Sequence, residues 1–197
     1  MQEPRHETAN EILAAAQDLF YEKGYEKTTT RELAERVGIS KAAVYHHFEN
    51  KEEILYTICL KASYELIGNM RLAIERNTSA DVPVPEQIKD IILEYARTYI
   101  KNKNFNKILL YEIEFLPMDK KRVILDKETE NFHQLRSYLR GLIDEGRIKS
   151  FNSTVLTFSL LGTLHWLFFW FKPHKGLSLE EVIDQFVEIH LYGMIKE

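Results

Sequence analysis

Apolar residues recur at helical spacing along most of this chain, and no segment alternates apolar and polar residues with a period of two. The hydrophobic pattern therefore predicts an all-α fold. Two stretches interrupt it: NTSADVPVP at 77–85, where prolines disfavour helix, and the polar run KNKN at 101–104. Beyond the first 50 residues, helices are predicted over about 51–76, from Glu86 to Pro117 around the KNKN run, over 119–145, over 153–171 and from Ser178 towards Met194.

The N-terminal part of the chain contains two shorter helical patterns between Thr28 and Lys51. Thr29 stands three residues before Glu32, which is the spacing of a reciprocal helix cap. In such a cap the hydroxyl and the carboxylate each satisfy a free backbone N–H group. The first of the two helices is therefore predicted to begin near Thr30.

The second short helix is predicted to present a polar face. Gly38 gives the backbone freedom for a turn between the helices, and Ser40 can cap the second one. By their spacing, Ala43, Val44 and Phe48 face inward, and the outward residues are Lys41, Ala42, Tyr45 and His46. Such side chains can meet phosphates and base edges, which predicts DNA binding. Capped two-helix corners also occur in helical proteins that bind no DNA.

Residues 12–58 resemble the N-terminal domain of the TetR family of transcriptional regulators. The resemblance rests on an ordered block: LFYEKGY, TTTRELA, VGISKAAVYHHF and NKEEIL, at the first to fourth helices. It implies a three-helix helix-turn-helix DNA-binding domain over 1–50 and a helical ligand-binding and dimerisation domain over 51–197. It also implies a repressor of transcription that binds a double-stranded operator and is released by a small molecule.

The same resemblance implies which residues contact DNA. The matching positions are Thr29, Lys41, Ala42, Tyr45, His46 and Lys51. Arg31 and Ser40 are further candidates for phosphate contacts, and His47 at the helix end either caps carbonyl groups or approaches a phosphate. Because each subunit would read one major groove, a palindromic operator requires a homodimer.

Composition and charge narrow the range of partners. The 197 residues carry a formal net charge of -4, and residues 1–55 hold 7 Lys or Arg against 11 Asp or Glu. We therefore expect weak non-specific DNA binding and salt-sensitive specific binding through locally placed cations.

The single Cys59 excludes an intramolecular disulfide and a multi-cysteine metal site, and no cofactor or metal is expected. No leader pattern opens the chain, which favours a cytoplasmic location.

Residues 155–171, VLTFSLLGTLHWLFFWF, are apolar nearly all round. A membrane span is not predicted, because the stretch is slightly short and its Thr, Ser and His side chains would be costly in lipid. A helix with one side on its own subunit and the other on a second copy explains the pattern. Together with the last helix it predicts a four-helix dimer interface through Val155, Leu156, Val182, Phe186, Ile189 and Tyr192.

The family resemblance also implies a ligand cavity in the C-terminal domain. Residues 163–194 are similar to the end of TetR regulators of fatty-acid and steroid catabolism, which points to an acyl-CoA effector. His165 stands where many of those relatives carry Asn, and a multidrug or other hydrophobic effector is the alternative. Aromatic residues could line the cavity, although at helical spacing they are also typical of a core: Tyr95, Tyr99, Phe105, Tyr111, Phe115, Phe132, Trp166 and Phe169.

A helical metal-carboxylate enzyme is the rival class. Glu130 and His133 have the E-x-x-H spacing of a di-iron ligand pair, with Glu112 and Glu114 as further carboxylates. Such a site needs two pairs, and the sequence offers one.

For a regulator, the sequence also suggests how an effector acts. An effector that favours one arrangement of the helices would move the helix beginning at Lys51 and change the spacing of the two reading helices.

Overall fold

The structure, a computed structural model, describes residues 3–78, 82–101, 107–109, 111–172 and 176–192, without the side chains of residues 3–5, 168 and 169. Every regular element within these ranges is helical, which confirms the predicted all-α fold. The α-helices with both ends described are α1 (Glu3–Lys23), α2 (Thr30–Val37), α3 (Lys41–His47), α4 (Lys51–Arg76), α5 (Val84–Lys101), α6 (Met118–Asp144), α7 (Ser153–Trp170) and α8 (Leu179–Tyr192). Residues 107–109 and 111 are also helical.

Most helix ends lie where local sequence chemistry predicts them. α4 spans the predicted range of 51–76. At the start of α8 the backbone N–H of Glu181 donates to Ser178 Oγ at 3.1 Å, and the backbone N–H of Ser178 donates to the Glu181 carboxylate at 2.6 Å. Asn152 Oδ1 caps α7 by accepting two backbone N–H groups of its first turn. These contacts satisfy donors that a helix start leaves free.

Two predicted helix limits differ from the structure by more than one residue. α5 begins at Val84 rather than Glu86, because a proline is tolerated in the first turn of a helix, where its missing N–H has no partner to lose. The helical stretch expected to reach Pro117 ends instead in a 3₁₀ turn at Ile113–Phe115, followed by an extended Leu116. A residue that precedes proline is disfavoured in the helical region, which explains this end.

The chain packs as two compact units. Unit 1 consists of Met1–Tyr64 and Asn102–Lys127, and unit 2 consists of Glu65–Lys101 and Glu128–Glu197. α4 and α6 therefore each contribute residues to both units. The functional limit between a DNA-binding domain over 1–50 and a ligand domain over 51–197 stays a prediction.

Unit 1 has an apolar core that holds its short helices in place. Phe20 of α1, Leu33 of α2, Val44 of α3 and Ile54 of α4 are all buried in it. Burying one such side chain contributes roughly 1.5–3 kcal/mol, which is large for a helix of seven residues like α3. Cys59 is buried in the same core on α4.

Unit 2 has a separate core to which α4, α5, α6, α7 and α8 contribute. One side of α7 is buried there, with Leu160, Leu164 and Leu167 among the core residues. The other side of α7 exposes large apolar side chains, including Val155 and Trp166. In the part of the chain that the structure describes, no helix is both long and apolar enough to span a membrane.

Candidate nucleic-acid interface and ligand cavities

The start of α2 is fixed by the predicted reciprocal cap. The backbone N–H of Thr29 donates to Glu32 Oε2 at 2.8 Å, and the backbone N–H of Glu32 donates to Thr29 Oγ1 at 3.2 Å. Lys23 forms an ion pair with the same carboxylate. The ammonium of Lys23, followed by the backbone and hydroxyl of Thr29, lowers the pKa of Glu32 to about 2. The carboxylate therefore stays ionised at neutral pH and keeps the cap closed.

The turn between α2 and α3 sets the direction of α3. Gly38 has a φ of 80°, a left-handed conformation that side chains disfavour, and its N–H donates to the Ala34 carbonyl at 2.9 Å. The backbone N–H of Ala43 donates to Ser40 Oγ at 3.1 Å, which caps α3 as predicted. Both contacts are local in sequence, so the corner forms from its own residues.

The outward face of α3 carries the side chains expected there. Lys41, Ala42, Tyr45 and His46 are exposed, whereas Val44 is buried. The Tyr45 hydroxyl lies 3.2 Å from Thr30 Oγ1, and the Lys41 ammonium lies 5.7 Å from the centre of the Tyr45 ring. This face offers an ammonium, a phenol and an imidazole, groups that can donate to phosphates and base edges. Sequence reasoning missed the Thr30 contact, because the two residues are brought together only by the turn.

Lys51 points into unit 1 rather than outward. Its ammonium donates to three carbonyl oxygens, those of Tyr25 at 2.7 Å, Glu26 at 3.3 Å and Thr28 at 2.8 Å. It also lies 4.1 Å from the centre of the Tyr25 ring. Burial lowers the pKa of the Lys51 ammonium, and nearby carboxylates oppose that shift. An ammonium has three N–H donors, so these contacts engage all three and tie the turn after α1 to the start of α4. The expected phosphate contact of Lys51 stays a prediction.

The other predicted DNA contacts differ in their present partners. Arg31 Nε donates to Glu35 Oε1 at 2.9 Å in an exposed pair on α2. Thr29 and Ser40 act as helix caps, with their side chains exposed. His47 is half-buried at the end of α3, with its ring centre 5.6 Å from that of His46. All of these residues lie in unit 1.

Comparison with known proteins identifies the fold and the corner together. The family model for bacterial regulatory proteins of the tetR family matches residues 12–57. A second model, the tetracyclin repressor-like C-terminal domain, matches residues 81–194 and so covers more than half of the chain. The chain belongs to the TetR family. TetR regulators bind operator DNA, dimerise and bind small ligands, which makes this protein a DNA-binding transcriptional regulator.

Relatives match over nearly the whole chain. One similar solved structure is the crystal structure of the TetR-family transcriptional regulator PfmR from Thermus thermophilus. Its sequence is 32% identical to this one and its TM-score is 0.83, and the match covers 94% of this chain and 99% of PfmR. The transcriptional repressor KstR2 of Rhodococcus jostii strain RHA1 is 24% identical over 93% of this chain and 89% of that protein. AibR, solved in complex with isovaleryl coenzyme A and operator DNA, is 24% identical with a TM-score of 0.79 over 95% of this chain and all of AibR, and shows the fold alone.

The residues predicted for dimerisation divide into exposed and buried ones. On the described TetR subunit, Val155, Ile189 and Tyr192 are exposed, and Leu156 and Phe186 are half-buried. Val182, predicted at the interface, is instead 3% exposed and belongs to the core of unit 2, where α8 packs against α5. The exposed apolar face of α7 is broader than predicted and also includes Phe158, Trp166 and Trp170.

The aromatic residues predicted to line a ligand cavity are divided between the two units. Tyr111 and Phe115 are exposed in unit 1, where the Phe115 ring centre lies 5.4 Å from that of Tyr25. Tyr95 and Tyr99 are buried in the core of unit 2, where burial raises the pKa of both phenols. Phe132 is half-buried and Trp166 is exposed, both in unit 2. Phe105 and the side chain of Phe169 lie outside the described residues.

Unit 2 instead contains two cavities lined by other residues. A polar cavity of about 610 Å³ lies among the end of α4, the start of α5 and α6. In it, the buried Gln87 accepts a hydrogen bond from the Tyr138 hydroxyl at 2.7 Å, and burial raises the pKa of Tyr138 to about 12. A second space of about 490 Å³, here called the basic groove, is lined mostly by apolar residues, with Arg147, Lys149 and His190 among the others.

The carboxylates considered for a metal centre have other contacts. Glu130 pairs with Arg71 at 3.5 Å, and Glu114 pairs with Lys121. The His133 ring lies edge-on to Phe132, with 5.6 Å between ring centres. Among the described side chains, no group of three or more His, Cys, Asp or Glu residues could hold a metal ion.

Proposed function

We propose that this TetR-family protein is a cytoplasmic homodimeric repressor that reads a palindromic operator with α3 and is released by a hydrophobic small molecule. The observation that carries the proposal is the polar outward face of α3, anchored from behind by the buried Val44. KstR2, a relative along nearly the full chain, is a transcriptional repressor, which supports the sign of regulation.

The proposed DNA contacts follow from this face and the two caps beside it. We assign base-edge or close backbone contacts to Tyr45, His46 and Ala42, and phosphate contacts to Lys41, Arg31, Thr29, Ser40 and His47. Lys51 acts through the turn that it holds, as a positioning residue. Arg31 would exchange its exposed pair with Glu35, which has a small energetic cost because exposed ion pairs are weak.

Dimerisation would bring two copies of α3 to successive major grooves, about one helical turn apart. The proposed interface is the exposed apolar face of α7, with Val155 and Trp166, together with Ile189 and Tyr192 of α8. An apolar face of this kind is unfavourable in water and is covered when two copies pair.

DNA binding is tested by selecting duplexes from a random library with the wild-type protein, and then measuring affinity for the selected duplex. We expect a palindromic site that outcompetes random duplex at moderate salt, with affinity that falls steeply as salt rises. Lys41→Ala should weaken binding, whereas Lys172→Ala, an exposed lysine outside α3, is the matched control. Random duplex that competes as well as the selected site would overturn the proposal.

The effector is proposed to be an acyl-CoA. Support comes from the C-terminal stretch at 163–194, which is similar to regulators of fatty-acid and steroid catabolism. Thermal shift and operator release with acyl-CoA of several chain lengths test this, because a ligand that prefers the folded, released state raises the melting temperature. If no chain length stabilises the protein or releases DNA, while lipophilic drugs do, the effector is of the multidrug type.

The rival of another class, a metal-carboxylate enzyme, is separated by metal analysis of the protein as expressed. We propose that the protein acts through binding and not catalysis. The pairing of Glu130 with Arg71 favours a surface role for that carboxylate. Stoichiometric iron would favour the enzyme instead.

A further inference from the structure

The basic groove of unit 2 combines apolar walls with charges of one sign. Its walls come from four helices, with Ile88 of α5, Leu139 of α6, Leu160 of α7 and Leu191 of α8 among them. Among the described residues that line the groove, the basic side chains are those of Arg147, Lys149 and His190, and no Asp or Glu contributes. The groove therefore suits a molecule with an apolar body and a negative end.

We propose that the basic groove binds an amphipathic monocarboxylate, the chemical class of a medium-chain fatty acid. The proposal goes beyond the acyl-CoA of the proposed function, because a fatty acid ends in a carboxylate where an acyl-CoA carries a thioester. It rests on the proposed function only for the effect on DNA, and binding itself can be measured without DNA. The volume of about 490 Å³ lies within the range of small-molecule sites.

The basic side chains have donors left for a carboxylate. One terminal nitrogen of Arg147 donates to the Val82 carbonyl at 3.3 Å, and the other lies 3.6 Å from Glu145. A guanidinium has five N–H donors in a planar fork, so these contacts fix its position and leave others to bind. Lys149 is exposed beside it on the chain.

His190 adds a donor that depends on protonation. Its Nδ1 lies 2.7 Å from the Phe186 carbonyl, so Nδ1 carries the hydrogen and Nε2 is the atom left for a ligand. In the protonated ring, Nε2 donates as well. Glu188, which is close to His190 in the chain, and Glu145, which is close to Arg147, do not line the groove.

The polar cavity of unit 2 is a less suitable site for an amphipathic monocarboxylate. It shares Arg147 with the basic groove but also contains Arg71, Glu75 and Glu145, so its charges balance. An anion entering it meets carboxylates, and an alkyl chain meets the polar side chains of Gln87 and Gln134. Of the two spaces, the basic groove alone matches a single negative charge with an apolar tail.

The experiment is a calorimetric titration of the full chain with decanoate, decanol and decyltrimethylammonium, each kept below its micelle concentration. We expect decanoate to bind, and the uncharged and cationic analogues to bind at least about tenfold more weakly, the value of one charge-assisted contact. Lys149→Gln/His190→Gln should weaken decanoate binding by about tenfold or more. Lys172→Gln, an exposed lysine outside the groove, is the matched control and should bind as the wild type does.

Several outcomes overturn the inference. Decanoate that does not bind, that binds the double variant as well as the wild type, or that binds no better than decanol contradicts it. If a second copy of the chain occupies the groove, decanoate will not bind. This is a real alternative, because Leu156 and Tyr192 belong both to the groove and to the proposed dimer interface. Because His190 is half-buried, Lys149→Gln alone is measured in parallel, with melting curves to verify folding.

Operator affinity separates this inference from the proposed function. Decanoate that binds with the expected variant pattern, but leaves operator affinity unchanged, supports the groove and contradicts its role as the effector site. Release of the operator by an acyl-CoA, in a protein that does not bind decanoate, contradicts the groove and leaves the repressor intact.

Discussion

Two exposed helical faces of this protein carry large side chains, and their chemistry differs. α3 in unit 1 exposes Lys41, Tyr45 and His46, each of which has a polar group at its end. α7 in unit 2 exposes Val155 and Trp166, which are 67% and 68% exposed. The first face gains by exchanging water for phosphates and base edges, whereas the second gains by leaving water altogether. The proposed function therefore assigns the first face to a nucleic acid and the second to another copy of the protein.

The structures behind the two faces differ as well. α3 has seven residues, and it is positioned by caps, a left-handed glycine and one buried valine. α7 has 18 residues and is positioned by a continuous buried side of leucines. The predictions below test this contrast in order of expected effect.

Trp166→Glu should have the largest effect, because it places a carboxylate on the apolar face of α7. Burying an unpaired charge in an interface is costly, so we expect monomers in sedimentation experiments. Losing the second reading helix should weaken operator binding by about 100-fold or more. Arg140→Glu, at an exposed position of α6, should remain a dimer. If the Trp166→Glu variant remains a dimer, the interface does not include the exposed face of α7.

Tyr45→Ala should reduce operator affinity by about 1–3 kcal/mol without changing stability, because the exposed phenol contributes to the reading face and not to the core. Affinity is measured by titration with labelled operator, and stability by thermal unfolding. Tyr64→Ala removes another exposed tyrosine of unit 1, outside α3, and should leave affinity unchanged. Equal losses in both variants would contradict a specific role for α3.

Lys51→Met should lower the free energy of unfolding by about 2 kcal/mol, because three carbonyl oxygens lose a charged donor. Lys41→Met should leave stability unchanged but reduce the slope of log affinity against log salt by about 1. The salt slope of Lys51→Met should equal that of the wild type. A reduced slope in Lys51→Met would instead make Lys51 a phosphate contact.

Glu32→Gln should produce the smallest effect, and one that depends on pH. The pKa of Glu32 is about 2 in the folded protein against an ordinary value of 4.5, so its ionised form stabilises the fold above pH 4.5. That stabilisation is lost as pH falls from 4.5 towards 2. We expect the wild type to exceed Glu32→Gln in urea midpoint at neutral pH, and the difference to shrink at about pH 3. Glu35→Gln, which leaves the cap intact, should show less of this dependence.

Whether a feature could be predicted from the sequence depends on how far apart its interacting residues are in the chain. The caps at Thr29, Ser40 and Ser178 were predictable, because each joins residues three apart. Lys51 could not be placed from sequence, since its three carbonyl partners lie more than twenty residues away. The basic groove was also missed, because its walls come from four helices and only the short run Arg147 to Lys149 hinted at it.

Sequence by itself determined the helices, the capped corner and the membership of the TetR family, because helix periodicity and caps depend on neighbours within one or two turns. Only the tertiary structure decided that Val182 is in the core, that Lys51 turns inward and that the aromatic residues are dispersed over two units. Which face of a helix is covered depends on contacts with residues far away in the chain. Local pattern leaves that choice open, and packing makes it.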